Sequence, residues 1–294
     1  MRKLLTGIAG ALLAAMLIPA APVHAAAPPG TSLQLMSWNM CGSKRATWNC
    51  GAYGTVADKL GVVEYHVANN FVQAMLLQEI CENDLSALMG RLGAGWSRSF
   101  APYRYANDGV LSNTPCGDSG TDRIGTAIVV KAGLSDPRTI ATTQPWTGLQ
   151  RPFQCATATY FNSIRLCNLH LTPRAGNPDH PEWEYADDQL AEIKTVVDGY
   201  EHVAFGGDLN VVPPDWAADS SRDWLWPAGL YWNGPGTPGY RECDQTDATR
   251  TGRSTTVWGV KFDHIFSTQP KRWCAVGTSA YSDHAVVIYS MEIA

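Results

Sequence analysis

Short apolar runs recur along the chain, and each is six to nine residues long. Their length and their content of β-branched residues predict strands rather than helices. The runs 155–161 and 164–171 meet at Phe161-Asn162-Ser163, which predicts a hairpin turn at these three residues. The predicted strands cover residues 33–38, 74–80, 125–130, 155–161, 164–171, 202–207, 260–266 and 285–293.

A helical period is clearest in residues 181–200. Apolar side chains recur there at intervals of three or four residues, at Ala186, Leu190, Ile193 and Val197. This spacing predicts an amphipathic helix, and Pro181 suits its first turn. Residues 55–71 and 83–92 show the same period more weakly and are the other helix candidates.

Strands outnumber helices and the two are mixed along the chain. This mixture predicts an α/β sandwich with the sheets inside and the helices outside. Two long stretches, 105–123 and 213–257, are rich in turn-forming residues and are predicted to be irregular. Loops of this length in a compact domain usually carry function or close over a site.

The first 25 residues are typical of a secretory signal peptide rather than of a folded element. A basic "MRK" precedes the apolar run "LLTGIAGALLAAMLI", and "VHA" ending at Ala25 fits a cleavage site. We therefore expect a secreted protein with one domain over residues 26–294. Since no later run is apolar enough to cross a bilayer, no stable membrane insertion is expected.

The exported part of the chain is acidic. Removing Arg2 and Lys3 with the signal leaves 20 basic against 27 acidic residues, a net charge of −7. Such a charge gives no general attraction to nucleic acid or anionic lipid, so a polyanionic substrate would need a metal ion or a local basic patch. The candidates for that patch are Arg151, Arg174, Arg250, Arg253, Lys261, Lys271 and Arg272.

All eight cysteines lie in the exported part, which predicts disulfide bonds. Sequence leaves most pairings open, but loop positions suggest Cys41–Cys50 and Cys243–Cys274. A zinc cluster is disfavoured because no C-x2-C pair occurs.

The octapeptide "FGGDLNVV", residues 205–212, ends an apolar run with two glycines, an aspartate and an asparagine. In a strand, Asp208 and Asn210 would lie on one face, since side chains two apart point the same way. Two oxygen-bearing groups at a glycine-rich strand end suit a hard cation or a phosphate. An ordinary turn is the alternative.

Polar side chains also stand at the ends of most other predicted strands. Each can be explained alone by a cap, a turn or a solvated charge. Together they would cost stability if they were buried without partners, which favours a shared site. They are Asn39, Glu79, Asn168, His170, Asp208, Asn210, Asp263, Asp283 and His284.

A second motif, "CGDSGT" at 116–121, resembles the nucleophile segment of chymotrypsin-like proteases, with Ser119 as the nucleophile. That chemistry needs a histidine and an aspartate earlier in the chain. The only histidine upstream in the exported part is His66, in a predicted helix and without the matching context. A surface turn is the better interpretation.

The ordered set of strand-end motifs resembles the endonuclease/exonuclease/phosphatase superfamily, whose best-known member is DNase I. The resemblance covers residues 33 to 292. The histidine of "NLHLTP" is similar to that of DNase I, the neutral sphingomyelinases and the nuclease subunit of cytolethal distending toxin. It implies a four-layer α/β/β/α sandwich of two packed mixed sheets that carries a metal-dependent phosphoester hydrolase.

The resemblance implies a site for Mg²⁺, with Mn²⁺ or Ca²⁺ as alternatives. Mg²⁺ prefers hard oxygen ligands and keeps several waters. Glu79 is the first choice as a ligand, assisted by Asn39 and Asp283.

Catalytic roles follow from the same resemblance. His284 would take a proton from the attacking water, and Asp263 would fix its tautomer and stabilise the imidazolium. His170 would act as a general acid or donate a hydrogen bond to the phosphate. Asp208 and Asn210 would orient the nucleophile and hold the phosphate.

Arg151 and Asn168 are the remaining phosphate-binding candidates.

Two positions depart from the family pattern. In the family, a glutamate partners the histidine that corresponds to His170. This glutamate is not matched here, although Asp122 lies near its expected place. Cys81 stands where DNase I has a DNA-contacting arginine, which weakens the case for DNA in particular.

The leading hypothesis is a secreted Mg²⁺-dependent phosphodiesterase, a DNase I-like endonuclease that acts on nucleic acid as a monomer. The alternative is a sphingomyelinase-like enzyme acting on a phospholipid head group, or another phosphoester phosphatase of the superfamily. The tryptophan-rich segment 213–232 would suit a lipid interface, but the short segment between Asp263 and Asp283 argues against it. A third hypothesis is a binding module without catalysis, in which the tryptophan loop holds a glycan or a protein.

Overall fold

The structure is a computed structural model that describes residues 31–118, 120–174 and 184–293. The predicted signal peptide, Ser119 and Pro181 lie outside these ranges.

Fifteen strands and three α-helices are found in the described residues. The helices are α1 (Val56–Asn69), α2 (Glu82–Leu92) and α3 (Ala186–Val197). The strands are β1 (Thr31–Asn39), β2 (Ala74–Cys81), β3 (Ser97–Pro102), β4 (Arg104–Asn107), β5 (Val110–Asn113), β6 (Ile124–Val130), β7 (Leu134–Ile140), β8 (Gly148–Gln150), β9 (Phe153–Ala158), β10 (Arg165–His170), β11 (Val203–Asp208), β12 (Arg241–Glu242), β13 (Asp263–Ser267), β14 (Lys271–Val276) and β15 (Val287–Ile293).

Within that part of the chain, the strands form two six-stranded mixed sheets and one small three-stranded sheet. The first sheet has the order β14-β15-β1-β2-β6-β3, and the second has the order β12-β13-β11-β10-β9-β7. The small sheet has the order β5-β4-β8. Each large sheet contains one parallel pair near its centre, β1 with β2 and β10 with β11. The carboxyl ends of parallel strands meet at one edge of a sheet, and this arrangement positions the site described below.

The two large sheets pack face to face through a fully buried apolar layer. Leu35 of β1 and Leu76 of β2 belong to this layer on one side, with Leu166 of β10 and Ile265 of β13 on the other. Alternate side chains of each strand point into the layer, as the period of two in a strand requires.

Helices cover the outer face of each sheet. On the first sheet, Leu60 of α1 and Leu85 of α2 pack against Met36 and Met75. On the second sheet, α3 packs through the side chains that the sequence predicts for its apolar face, Ala186, Leu190, Ile193 and Val197. The predicted four-layer α/β/β/α sandwich is therefore confirmed.

All eight predicted strands are present, and their ends differ from the prediction by no more than three residues. The prediction was wrong for 105–123, where β4 and β5 form a hairpin whose residues are mostly exposed and carry no alternating apolar pattern. The edge strand β7 was missed for the same reason, since Asp136, Pro137 and Arg138 interrupt it.

The eight cysteines form four disulfides. The predicted pairs Cys41–Cys50 and Cys243–Cys274 are both confirmed. The other two are Cys81–Cys116 and Cys155–Cys167. Such bonds persist in oxidising compartments. In the described part of the chain, every helix is too short or too polar to span a membrane.

Candidate active site

The polar strand ends of both sheets meet at one rim of the sandwich. β1 ends at Asn39 and β11 ends at Asp208, and these two side chains are in contact although they belong to different sheets. Nδ2 of Asn39 donates to Oδ2 of Asp208 at 3.1 Å. The site is therefore built across the gap between the two sheets.

Asp208 lies at the centre of the cluster and is buried. Its Oδ2 is 3.4 Å from Nε2 of His170 and 3.6 Å from Nε2 of His284. Burial raises the pKa of Asp208 to about 6; His284 opposes this shift, while the nearby Asp263 adds to it. One carboxylate oxygen thus faces an amide and two imidazoles.

Asp208 and Asn210 come together through a turn, which corrects the prediction that they lie on one face of a strand. The strand ends at Asp208, and Asn210 has a left-handed backbone with φ of 52°. The backbone N–H of Asn210 donates to Oδ1 of Asp208 at 3.0 Å, and its Nδ2 donates to the carbonyl of Leu171. This turn fixes the Asp208 carboxylate and keeps the Asn210 side chain beside it.

Gly207 permits the close packing at this strand end. A Cβ atom on Gly207 would lie 1.9 Å from the carbonyl oxygen of Leu169, and its φ is 145°. Only glycine tolerates both conditions. The glycines of "FGGDLN" therefore allow neighbouring backbones to approach at the point where Asp208 leaves the sheet.

His284 and Asp263 form a buried pair. Nδ1 of His284 is 2.8 Å from Oδ2 of Asp263, and the ring's other nitrogen faces Asp208. Burial lowers the pKa of His284, but the carboxylates of Asp263 and Asp208 outweigh it and raise that pKa to about 10. His284 is therefore held as an imidazolium between two carboxylates in the metal-free protein.

Glu79 is displaced from the regular strand by an irregularity in β2. The register between β2 and β6 shifts between Leu77 and Ile80, and Glu79 has a φ of 53°. Its carbonyl accepts a hydrogen bond from the N–H of Gly42 at 2.9 Å. A Cβ atom on Gly42 would lie 2.4 Å from this oxygen. The bulge turns the Glu79 side chain towards the rim, as bulges near active sites often do.

The Glu79 carboxylate is partly buried, and its Oε2 lies 3.9 Å from Sγ of Cys50, which has no hydrogen to donate because it is bonded to Cys41. Burial raises the pKa of Glu79 to about 7; Arg151 and His284 oppose this shift, while Asp283 and Asp208 add to it. Cations therefore act on Glu79 from a distance, but they do not offset the effect of burial on its pKa.

His170 contacts a tyrosine instead of a second carboxylate. Nδ1 of His170 is 2.6 Å from the hydroxyl of Tyr103, and both residues are buried. Burial, together with Arg151 and His284, holds the pKa of His170 well below its usual range.

The sequence and the fold both identify a family. The Endonuclease/Exonuclease/phosphatase family model matches residues 36–284. The chain belongs to this family. A search of curated protein sequences gives no match. Members of the family are phosphoester hydrolases, and they generally depend on a divalent metal.

Solved structures share the fold at low sequence identity. Humanised Danio rerio TDP2 is 17% identical with a TM-score of 0.59, over 89% of this chain and 99% of that one. The human Nocturnin catalytic domain is 15% identical with a TM-score of 0.57, over 90% and 94%. An endonuclease/exonuclease/phosphatase from Beutenbergia cavernae is 16% identical with a TM-score of 0.60, over 89% and 72%.

The residues present fit a divalent cation of the kind this family uses. Glu79 and Asp283 supply carboxylate oxygens, and burial together with the charge of Asp283 disfavours the ionised form of Glu79 unless a cation is bound. The Oδ1 of Asn39 accepts from the N–H of Cys41 at 3.0 Å and has a second lone pair. A cation here would neutralise carboxylates that otherwise repel one another.

Lys59 belongs to the site but was missed from the sequence. Its Nζ donates to the carbonyls of Met40, at 3.0 Å, and Tyr281, at 2.6 Å. These carbonyls belong to the segments that carry Asn39 and Asp283. A lysine on an amphipathic helix normally lies in solvent, so its sequence position gives no signal that Lys59 is buried.

Arg151 faces the cluster as expected. The side-chain amide of Gln144 holds its backbone through two hydrogen bonds, one to the N–H and one to the carbonyl. The charge of Arg151 acts on the pKa values of Glu79 and His170, which places the guanidinium within electrostatic reach of both. Arg151 also lines a cleft of about 570 Å³ together with Arg104.

Asn168 is not brought to the rim. It is fully buried between the sheets, where its Nδ2 donates to the carbonyls of Leu77 and Ala127 and its Oδ1 accepts from Gln78. Asn168 shares a strand face with His170 but lies two residues deeper. Its amide is committed to holding the two sheets together, which leaves no group for a phosphate.

Asp122 is not the partner of His170. It accepts a hydrogen bond from the N–H of Asn83 at 3.1 Å and lies 3.6 Å from Nζ of Lys44. The Tyr103 hydroxyl occupies the place next to His170 that the sequence analysis assigned to a carboxylate.

The predicted basic patch does not form. Lys261 is fully buried against Glu242, and Arg250 and Arg253 pair with Asp215 and Asp244. Lys271 donates to two backbone carbonyls, and Arg174 lies 3.9 Å from Asp219. Of the seven candidates, Arg151 is the one placed at the cluster.

Proposed function

We propose that this protein is a secreted, Mg²⁺-dependent phosphodiester hydrolase that acts on nucleic acid as an endonuclease. The observation that carries the proposal is the Asp208-centred cluster, in which carboxylates, an amide and two imidazoles converge at one rim. The four disulfides and the signal-like first 25 residues support secretion.

Glu79, Asp283 and the amide oxygen of Asn39 would hold the metal ion. When bound, the ion polarises a phosphoryl oxygen and offsets charge that develops during displacement. Lys59 keeps the two segments that carry Asn39 and Asp283 in register.

The Asp208–His284 pair receives the proton of the attacking water. Because the two groups lie 3.6 Å apart, they titrate as a pair rather than as separate sites. With a pKa near 6, the Asp208 carboxylate is available as an acceptor at neutral pH, where His284 is already protonated. Asp263 fixes the orientation of the His284 ring whichever member of the pair accepts the proton.

Arg151, His170 and Asn210 would hold the phosphate from the other side. The guanidinium and the imidazole supply hydrogen-bond donors to the non-bridging oxygens. The cleft beside Arg151 has room for one flank of the substrate, and Arg104 at its wall has no ion-pair partner in the described ranges. The related Danio rerio TDP2 has been solved with a single-stranded DNA product, which supports nucleic acid as the substrate class.

A phospholipid head group is the second candidate, favoured by one observation. Val257, Trp258 and Tyr281 are exposed beside the cluster, and the Trp258 ring centre is 6.1 Å from that of His284. Exposed aromatic and apolar side chains at the mouth of a site suit a lipid interface.

A substrate panel separates the candidates. Supercoiled duplex DNA, single-stranded RNA, sphingomyelin vesicles and inositol phosphates are each incubated with the protein in Mg²⁺ and in EDTA, beside a His284→Ala control. Metal-dependent nicking of DNA or RNA is the expected result. Release of phosphocholine alone would replace nucleic acid by lipid, and a wild-type protein that cleaves nothing would refute the hydrolase.

A further inference from the structure

Tyr103 joins two parts of the site that come from different sheets. The residue follows β3 and is fully buried. Its hydroxyl is 2.6 Å from Nδ1 of His170 on the second sheet and 3.1 Å from the backbone nitrogen of Glu79 on the first. Among the described residues, these are the two hydrogen-bonding contacts of the hydroxyl.

The hydrogen atoms at this junction can be assigned by counting donors. A backbone N–H can only donate, so the Tyr103 oxygen accepts from Glu79. If Nδ1 of His170 also donated, the hydroxyl hydrogen of Tyr103 would be buried without an acceptor, which is costly. The hydroxyl therefore donates to Nδ1, which must be unprotonated.

The other side of the ring leads to the same assignment. Nε2 of His170 lies 3.4 Å from Oδ2 of Asp208. An Nε2–H group faces that oxygen favourably, whereas an unprotonated Nε2 would set a lone pair against a carboxylate oxygen. Both neighbours of the ring therefore select the neutral Nε2–H tautomer.

We propose that Tyr103 is a positioning residue that fixes His170 as its Nε2–H tautomer and couples the ring to the backbone of Glu79. His170 then carries a single N–H, at Nε2, which faces Asp208 and is shared with a phosphate oxygen when substrate binds, and its Nδ1 side has a phenol where a carboxylate would stabilise an imidazolium. This inference rests on the proposed phosphoester hydrolysis at the same site.

The coupling to Glu79 gives Tyr103 a second effect. Glu79 has left-handed backbone angles, which cost free energy unless the surroundings hold them. The Tyr103 hydroxyl holds its N–H, and the N–H of Gly42 holds its carbonyl. One phenol thus positions both a metal-ligand candidate and a phosphate-binding candidate.

The test uses the mature protein uniformly labelled with ¹⁵N. Histidine side-chain spectra are recorded at neutral pH with and without Mg²⁺, and the His170 signals are identified by their absence in His170→Asn. The expected pattern is a pyridine-like Nδ1 and a pyrrole-like Nε2. A protonated Nδ1, whether in the other tautomer or in an imidazolium, would overturn the proposal.

Kinetics of Tyr103→Phe supply the second readout, with Tyr289→Phe as the matched control. Tyr289 is also fully buried, but its hydroxyl has no hydrogen-bond partner among the residues that the structure describes, so its removal breaks none of the described hydrogen bonds. Tyr103→Phe is expected to lower kcat by about 10- to 100-fold with KM little changed, as for other residues that orient a ligand. Tyr289→Phe should keep the wild-type kcat.

The possible failures can be told apart. Equal kcat values for the wild type and Tyr103→Phe would overturn the positioning role while leaving the hydrolase intact. A wild-type protein without hydrolase activity would refute the proposed function, and the spectra would still decide the tautomer. If Tyr103→Phe does not fold, the wild-type spectra alone decide the proposal.

Discussion

Nδ1 of His284 lies 2.8 Å from Oδ2 of Asp263, and both side chains are buried. The two residues are 21 positions apart, and β13, β14 and the start of β15 bring them together. The other oxygen of Asp263 is buried without a partner. Asp263 therefore commits one oxygen to orienting His284 and retains a negative charge that stabilises the imidazolium.

Replacing Asp263 by Asn should reduce activity far more than stability. The amide keeps the shape of the carboxylate but removes its charge and can present an N–H to Nδ1, which would stabilise the wrong tautomer of His284. We expect kcat to fall by about 10⁴-fold, the size seen for the same change in another base-orienting aspartate. Steady-state kinetics measure the loss, and circular dichroism checks the fold. A variant that stays within tenfold of the wild type would show that orientation of His284 by Asp263 does not contribute to catalysis.

Stability without metal should decrease as the pH rises. The folded-state pKa values of Asp208, Glu79 and His284 are raised to about 6, 7 and 10. A group whose pKa is raised on folding contributes stability that is full below its unfolded pKa and is lost as the pH rises through its folded pKa. We expect the Tm of EDTA-treated protein to fall from about pH 7 to about pH 10, because His284 loses its proton there, whereas the buried His170 and His264, whose pKa values are lowered, are already neutral in the folded and unfolded states.

Adding Mg²⁺ should reverse most of this loss, because binding to the folded state stabilises it. The increase in Tm should be larger at high pH, where Glu79 is deprotonated and no proton competes with the ion. Glu79→Gln serves as the control and should show a weaker Mg²⁺ response. Equal Tm shifts at low and high pH would contradict the assignment of Glu79 as a ligand.

The Cys81–Cys116 disulfide should matter for activity as well as stability. Cys81 lies two residues after Glu79 and anchors the end of β2 to the segment that follows β5. Removing both cysteines should cost about 2–4 kcal/mol of unfolding free energy and also lower kcat, since the Glu79 bulge loses its anchor. The matched control is removal of Cys155–Cys167, which joins adjacent strands β9 and β10.

That control should lower the unfolding free energy but leave kcat near the wild-type value. Urea unfolding and steady-state kinetics distinguish the two effects. If both double variants lose activity equally, the Cys81–Cys116 bond has no special relationship to the site.

Gly207→Ala should be strongly destabilising. The added Cβ would lie 1.9 Å from the Leu169 carbonyl oxygen, and the backbone conformation at φ of 145° is one that alanine rarely adopts. Gly90→Ala is the control, because Gly90 lies in α2 with nothing within 4 Å of an added Cβ. The control should gain about 0.5–1 kcal/mol, the usual advantage of alanine over glycine in a helix. Thermal unfolding that ranks the two variants in the opposite order would contradict this packing.

Apolar periodicity predicted the strands because most of them are buried on both faces. This is why residues at the strand ends, such as Asp208 and His170, could be assigned to one rim without a structure. Depth within a strand could not be predicted in the same way. Asn168 and His170 share a face, yet only the one at the strand end reaches the site.

The residues that sequence reasoning missed act through contacts distant in the chain. Tyr103 and His170 are 67 positions apart, and nothing in the sequence around Tyr103 distinguishes it from a core tyrosine. Lys59 looks like a solvated charge on an amphipathic helix, although its ammonium group donates to carbonyls 19 and 222 positions away. The failed basic patch has a similar cause, since five of its seven candidates, Arg174, Arg250, Arg253, Lys261 and Lys271, found an acidic or carbonyl partner that periodicity does not reveal.

The most direct measurement is hydrolysis of bis(4-nitrophenyl) phosphate, a small diester that needs no extended binding groove. EDTA-treated wild-type protein is assayed with and without added Mg²⁺, beside Asp208→Asn and His284→Ala. We expect hydrolysis only in the presence of Mg²⁺, with losses of at least about 10²- to 10⁴-fold in each variant, the range for removal of a general acid or base. Hydrolysis that persists in EDTA, or that survives in both variants, would contradict a single metal-dependent site at the rim of the two sheets.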